Sequence, residues 1–248
     1  MSSPTLADVP TDRAGDQETR PRPFTTTGSD RRSAAVLLLG GYAAIVSSLV
    51  LAGLILTHVL VHGVVGRWDD TSTGWLSTHR GGALDAVTGL LSRSADTFGI
   101  LAVALVVVII LGIRHRWDQM AVLVTALVLE LSAFLAVNAL VGRDRPAVNR
   151  LGSTPSTSSF PSGHTAATLV LYVAIALFVN SAARAVLWRA LAWVAAALMP
   201  VAVGFSRVYR GFHHPTDVIF GYVLGCAVLV VAMLAVWRST AAAGDGAR

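Results

Sequence analysis

Six apolar stretches, separated by short polar segments, dominate the pattern of the chain. They run over roughly 34–61, 97–113, 119–141, 164–180, 186–205 and 217–237. A hydrocarbon core about 30 Å thick takes about 20 helical residues to cross. Each stretch therefore reads as one crossing, the second and fourth being short. Backbone polar groups inside a bilayer must be satisfied within the segment, so the crossings are helices. The pattern predicts an all-α, polytopic membrane protein with six transmembrane helices in a bundle. Between the first and second crossings, Leu84, Val87, Leu90 and Leu91 recur at near-helical spacing, with Asp85 and Arg93 facing elsewhere. That spacing predicts a short helix lying in the membrane interface. It serves equally as a cover for the bundle or as a lipid gate.

Residues 1–33 are rich in Pro, Thr, Asp and Arg and predict a disordered cytoplasmic tail. The six-helix domain then occupies 34–238, and 239–248 form a short C-terminal tail. The first apolar run begins at Ala34 and is too long for a signal-peptide core.

Composition supports the membrane class. Only 13% of the 248 residues are charged and 54% are hydrophobic, whereas a soluble domain carries about 25% charged residues. The chain is basic, yet its arginines sit at the edges of apolar segments and form no basic face, which argues against nucleic acid as a partner. The arginine-bearing connections around Arg114, Arg116, Arg184 and Arg189 favour an N-terminus on the cytoplasmic side. The single Cys226 cannot form an intrachain disulfide. The apolar helix faces suit a dimer or lipid equally, so the oligomeric state stays open.

With six crossings, three polar clusters fall on one side of the membrane. They are NALVGRDRP from Asn138 to Pro146, SSFPSGHTAA from Ser158 to Ala167, and SRVYRGFHHPTD from Ser206 to Asp217. In the second cluster Pro161, Ser162 and Gly163 lead into a helix whose first N–H groups are unpaired and favour a phosphate, with His164 beside it. A plain helix start explains the same residues. In the third cluster His213 and Asp217 are four apart. The carboxylate can accept from one imidazole nitrogen, fix the tautomer and leave the other nitrogen free to attack. It can equally offset the N–H groups of a first turn. Chemistry alone does not choose between His213 and His214. The first cluster offers Arg143 and Arg145, whose forks match phosphate oxygens. Headgroup anchoring is the other reading of Arg143 and Arg150. Asp144 and Asp217 are the only carboxylates in these clusters, so nothing resembles a metal cage and no cofactor is expected. The set suits metal-free phosphoryl transfer through a phosphohistidine.

These residues resemble the three-part signature of the type-2 phosphatidic acid phosphatase family: K-x6-R-P, P-S-G-H and S-R-x5-H-x3-D. The second part is Pro161-Ser162-Gly163-His164, and the third is Ser206-Arg207, His213 and Asp217 with both gaps intact. The first part ends in Arg145-Pro146, but its lysine position is Asn138. The resemblance implies that His213 attacks phosphorus, Asp217 orients it, and His164 protonates the leaving group and then activates water. It implies that Arg145, Arg207, Ser162 and the Gly163 amide hold the phosphoryl oxygens. Asn138 is expected to donate a hydrogen bond to the phosphate in the lysine's place, but it carries no charge, and Arg143 is expected to replace the missing one.

A membrane lipid-phosphate phosphatase with its site on the outer face of the plasma membrane is therefore expected. Polyprenyl diphosphate, phosphatidic acid and phosphatidylglycerophosphate fit equally well. The departure at Asn138 keeps a slow or non-catalytic lipid-phosphate binder as the alternative. A phosphatase for small soluble esters fits the membrane body less well, and the haloperoxidase branch resembles soluble proteins. Glu130, in mid-helix two turns before Asn138, reads either as a group bonded to a neighbouring helix or as a supporting residue of the site.

Overall fold

A computed structural model describes residues 28–153 and 156–245. Its helices are α1 (Gly28–His58), α2 (Val64–Thr78), α3 (Gly82–Ser94), α4 (Thr97–Ile113), α5 (Trp117–Val141), α6 (Gly163–Ala182), α7 (Val186–Tyr209) and α8 (Pro215–Asp245). A 3-10 turn, Leu60–His62, follows α1. Among the described residues there is no strand. Helices α1, α5, α6, α7 and α8 are each long and apolar enough to cross a membrane. Helix α4, 17 residues long and bent by 57° from α3, brings the candidate crossings to six when the pair is counted as one broken span. The protein is thus an all-helical, multi-pass membrane protein.

Two boundaries differ from expectation. Helix α1 begins at Gly28, so residues 28–33 are helical; the rest of the expected tail, 1–27, lies outside the described residues. Helix α8 runs to Asp245, so 239–245 continue the last helix; 246–248 lie outside the described residues. The connection between the first two crossings also holds α2 ahead of the expected interfacial helix, α3.

Lipid tails are as apolar as leucine, so helices in a bilayer associate by close approach rather than by a hydrophobic drive. Small residues supply that approach here. A Cβ on Gly221 of α8 would lie 2.6 Å from the Ser162 carbonyl oxygen, and one on Gly225 would lie 3.0 Å from the Ala166 carbonyl oxygen. The start of α8 therefore presses against the start of α6. Leu49 and Leu56 of α1, Val137 of α5, Val170 of α6 and Leu224 and Val228 of α8 pack with Phe160 in one buried cluster. Large side chains such as Leu105, Ile109, Leu198 and Ile219 are exposed on the outside, as a lipid-facing surface requires.

This packing gathers the ends that carry the polar clusters. The C-termini of α5 and α7 and the N-termini of α6 and α8 share one end of the bundle. Backbone bonds stitch the connections together: Ser162 N–H to the Asp217 carbonyl at 2.9 Å, and Leu151 N–H to the Arg210 carbonyl at 3.1 Å. Gly142 ends α5 in the left-handed region, φ 62°, where glycine carries no steric penalty. Helices α2 and α3 lie over this end, against α7 and α8.

Candidate active site

A cavity of about 360 Å³ opens at the gathered end. Gly163, His164, Arg145, Thr157, Arg207 and His213 line its polar part. Five of the residues expected from the sequence are thus brought to one space from three separate connections.

His213 is buried, and its Nδ1 lies 2.7 Å from the Ser159 carbonyl oxygen. A carbonyl can only accept, so Nδ1 carries the proton and Nε2 keeps the lone pair. Burial pushes the imidazole pKa well below 6.5, and the charges of Arg207 and Arg145 push it the same way. The ring is therefore neutral at ordinary pH, with its unprotonated Nε2 available. His214 differs: its backbone N–H donates to Asp217 Oδ2 at 2.8 Å, its ring lies 3.3 Å from the same oxygen, and it is absent from the cavity wall. Of the two adjacent histidines, only His213 lines the cavity.

Asp217 acts less directly than expected. Its Oδ2 is 3.8 Å from His213 Nδ1. The reason is saturation: Arg143 Nη1 donates to Oδ1, while Oδ2 accepts from the Ser159 hydroxyl at 2.5 Å and from the His214 N–H. The imidazole therefore takes the Ser159 carbonyl instead. Asp217 is linked to His213 through Ser159, whose hydroxyl donates to the carboxylate and whose carbonyl accepts from the imidazole.

Arg145 is held by the Thr157 carbonyl at 3.1 Å, the Ser158 carbonyl at 3.1 Å and the Phe212 carbonyl at 2.6 Å. Arg207 reaches the hydroxyl of Ser92 on α3 at 2.6 Å and lies 4.2 Å over the Phe212 ring. Its Nε is buried and without a protein partner among the described residues. An unmet donor on a buried cation suits an incoming anion. His164, at the start of α6, makes no ring hydrogen bond among the described residues, so the imidazole is free for a ligand.

Three expected phosphate contacts lie elsewhere. Ser162 is fully buried, with its hydroxyl 3.0 Å from that of Thr165. Asn138 donates to the Ser158 and Phe160 carbonyls at 2.9 and 3.2 Å and accepts from the Ser158 N–H at 3.0 Å. Its amide offers both donors and acceptors, which lets it staple the 158–160 turn. Arg143 does not replace a missing lysine charge. It is buried between Asp217 and Asp69 of α2, the latter at 2.8 Å, and donates to the Thr216 hydroxyl at 2.8 Å. Two carboxylates draw its guanidinium away from the cavity.

Sequence reasoning missed Asp69, Ser159, Thr157 and Ser92. Asp69 also accepts from the N–H and hydroxyl of Thr216, at 3.1 and 2.5 Å. Its one signal was an aspartate doublet, Asp69-Asp70, in a membrane protein poor in charge. Among the described residues no group of three His, Cys, Asp or Glu side chains is arranged to hold a metal ion.

The sequence profile of the PAP2 superfamily matches residues 119–241, a span that contains all three clusters. The chain is 30% identical over 144 residues to phosphatidylglycerophosphatase B of Bacillus subtilis (strain 168), covering 57% of this chain and 69% of that one. It is 39% identical over 71 residues to undecaprenyl-diphosphatase of Sulfolobus acidocaldarius, covering 29% of this chain and 30% of that protein. Its fold is similar to the crystal structure of a transmembrane PAP2-type phosphatidylglycerolphosphate phosphatase from Bacillus subtilis. That likeness has a TM-score of 0.64 at 22% identity, over 82% of this chain and 94% of the other. Profile, relatives and fold agree with the motifs, and the chain belongs to the PAP2 superfamily.

Proposed function

We propose that this membrane lipid-phosphate phosphatase works through a phosphohistidine on His213. The observation that carries the scheme is the Nδ1–Ser159 bond, which leaves Nε2 as the nucleophile on a ring sharing its cavity with Arg145, Arg207 and His164. Nε2 attacks phosphorus as the P–O bond to the lipid breaks. The negative charge of the bound phosphate favours the His164 imidazolium, which gives its proton to the leaving oxygen. Water then attacks phosphorus, its proton passes to His164, and the P–N bond breaks to release phosphate. Arg145, Arg207 and the amides at the start of α6 hold the phosphoryl oxygens throughout.

The substrate is a lipid phosphate that reaches the cavity sideways from the bilayer. The two curated relatives are named for phosphatidylglycerophosphate and for an undecaprenyl diphosphate, both lipids with a terminal phosphate. Arginine placement supports a plasma-membrane protein with this end of the bundle outside the cell.

Phosphate release by the purified protein in detergent with chelator tests the scheme, using phosphatidic acid, phosphatidylglycerophosphate and a polyprenyl diphosphate. Release is expected to survive the chelator and to fall by about 10³ or more in His213→Ala. His214→Ala is expected to retain far more activity. A requirement for a divalent ion, or full activity in His213→Ala, overturns the mechanism.

A further inference from the structure

Glu130 is a polar group that the scheme leaves unused. It stands in the middle of α5, eight residues before Asn138, or about 12 Å deeper along the helix axis. Only 4% of it is exposed, and among the described residues it makes no hydrogen bond or ion pair. A buried polar group left unmet costs about 1–3 kcal/mol. Such a group in a membrane helix calls for a partner.

Its surroundings indicate where that partner comes from. Glu130 lines the same cavity as His164 and His213, and no other acidic side chain does among the described residues. Asp69 and Asp217 face away, tied to Arg143. The wall around Glu130 is apolar, with Leu127, Leu131 and Phe134 of α5 and Ile100 and Leu101 of α4. Leu101 and Leu131 are also exposed, so the apolar side of the cavity borders the lipid-facing surface. A lipid whose phosphate lies between Arg145 and Arg207 runs its next atoms past Glu130 before its tails reach those leucines.

From this juxtaposition we infer that Glu130 is a specificity-determining residue whose carboxylic acid O–H donates a hydrogen bond to an ester oxygen of a glycerolipid phosphate. The inference rests on the phosphatase reading above and adds a substrate class to it. A diacylglycerol phosphate carries ester oxygens a few bonds from phosphorus. A polyprenyl diphosphate places its second phosphoryl group there, followed by hydrocarbon, and carries no acyl ester for the carboxyl group to meet. Sites built to hydrogen-bond a substrate reject analogues that lack the matching group, because the buried polar group is then stranded.

The test compares kcat/KM for a diacylglycerol phosphate, its dialkyl ether counterpart and a polyprenyl diphosphate, in the wild type, Glu130→Gln and Glu130→Leu. The wild type is expected to prefer the diacyl lipid over the ether by tenfold or more. Glu130→Leu should lose that preference, chiefly through KM. Glu130→Gln, which keeps hydrogen-bonding groups in the same place, should retain most of it. A wild type that treats ester and ether alike, or a Glu130→Leu enzyme that loses the same factor on all three lipids, overturns the inference alone. A wild type that releases phosphate from none of them overturns the phosphatase reading, and this one with it.

Discussion

Arg143 and Arg207 are both buried arginines at the same end of the bundle, yet their partners give them different work. Arg143 is satisfied by Asp69 and Asp217, whereas Arg207 keeps a buried Nε without a partner among the described residues. Removing one member of a buried ion pair leaves an uncompensated charge and costs about 3–5 kcal/mol. Arg143→Ala is therefore expected to lower the thermal unfolding midpoint sharply and to lose activity along with the fold. Arg207→Ala should lose activity with a much smaller change in midpoint. Equal midpoints for the two variants would contradict this division. His213 gives a second prediction. The unfolded chain takes up its proton as pH falls below about 6.5, while the folded site resists protonation through burial and through Arg207 and Arg145. The unfolded state then binds more protons, so stability falls as pH drops below that value, until the folded group also titrates. The midpoint should drop between about pH 7 and about pH 5, and drop less in His213→Gln. Identical slopes for the two proteins would rule the effect out.

Among the helices, α8 matters most because it carries Asp217 and follows directly on His213, and because it lies so close to α6. Gly221 makes that contact possible, with the Ser162 carbonyl where a side chain would begin. Gly221→Val is expected to push the two helix starts apart and displace His213 from His164. A displacement of about 1 Å at reacting groups lowers rates by about 10². Gly112→Ala is the control, since nothing lies within 4 Å of a Cβ there. Comparable kinetics for the two variants would show that the α6–α8 approach does not set the geometry. The α5 connection works differently: Asn138 fixes the 158–160 turn whose Ser159 carbonyl holds the His213 proton. The departure from the family's lysine thus became a structural joint.

At the scale of the whole molecule, the six crossings were legible because a bilayer demands long apolar runs and tolerates few exceptions. The cavity-lining residues His164, His213, Arg145, Arg207 and Gly163 were legible because their chemistry fixes residue type and spacing. The framework around them was not. Asp69 lies more than seventy residues before Arg143, and nothing in a linear pattern pairs the two. Ser159 contributes a backbone carbonyl, which every residue possesses and no motif can mark. Asn138, Arg143 and Ser162 were assigned by motif position, whereas the directions of their side chains depend on which carbonyls and carboxylates the folded connections bring near.

The Asp69–Arg143–Asp217 chain also bears on how the protein is made. A ribosome releases Asp69 first, Arg143 later and Asp217 last, each on a different stretch of the nascent chain. Until the final helix is inserted, Arg143 has one carboxylate instead of two, and Ser159 lacks the acceptor of its hydroxyl. His213, the proposed nucleophile, is synthesised only four residues before that last partner. Assembly of the reactive centre therefore coincides with completion of the bundle. A half-built chain in the membrane carries Arg145 and His164 but not yet His213 or Asp217.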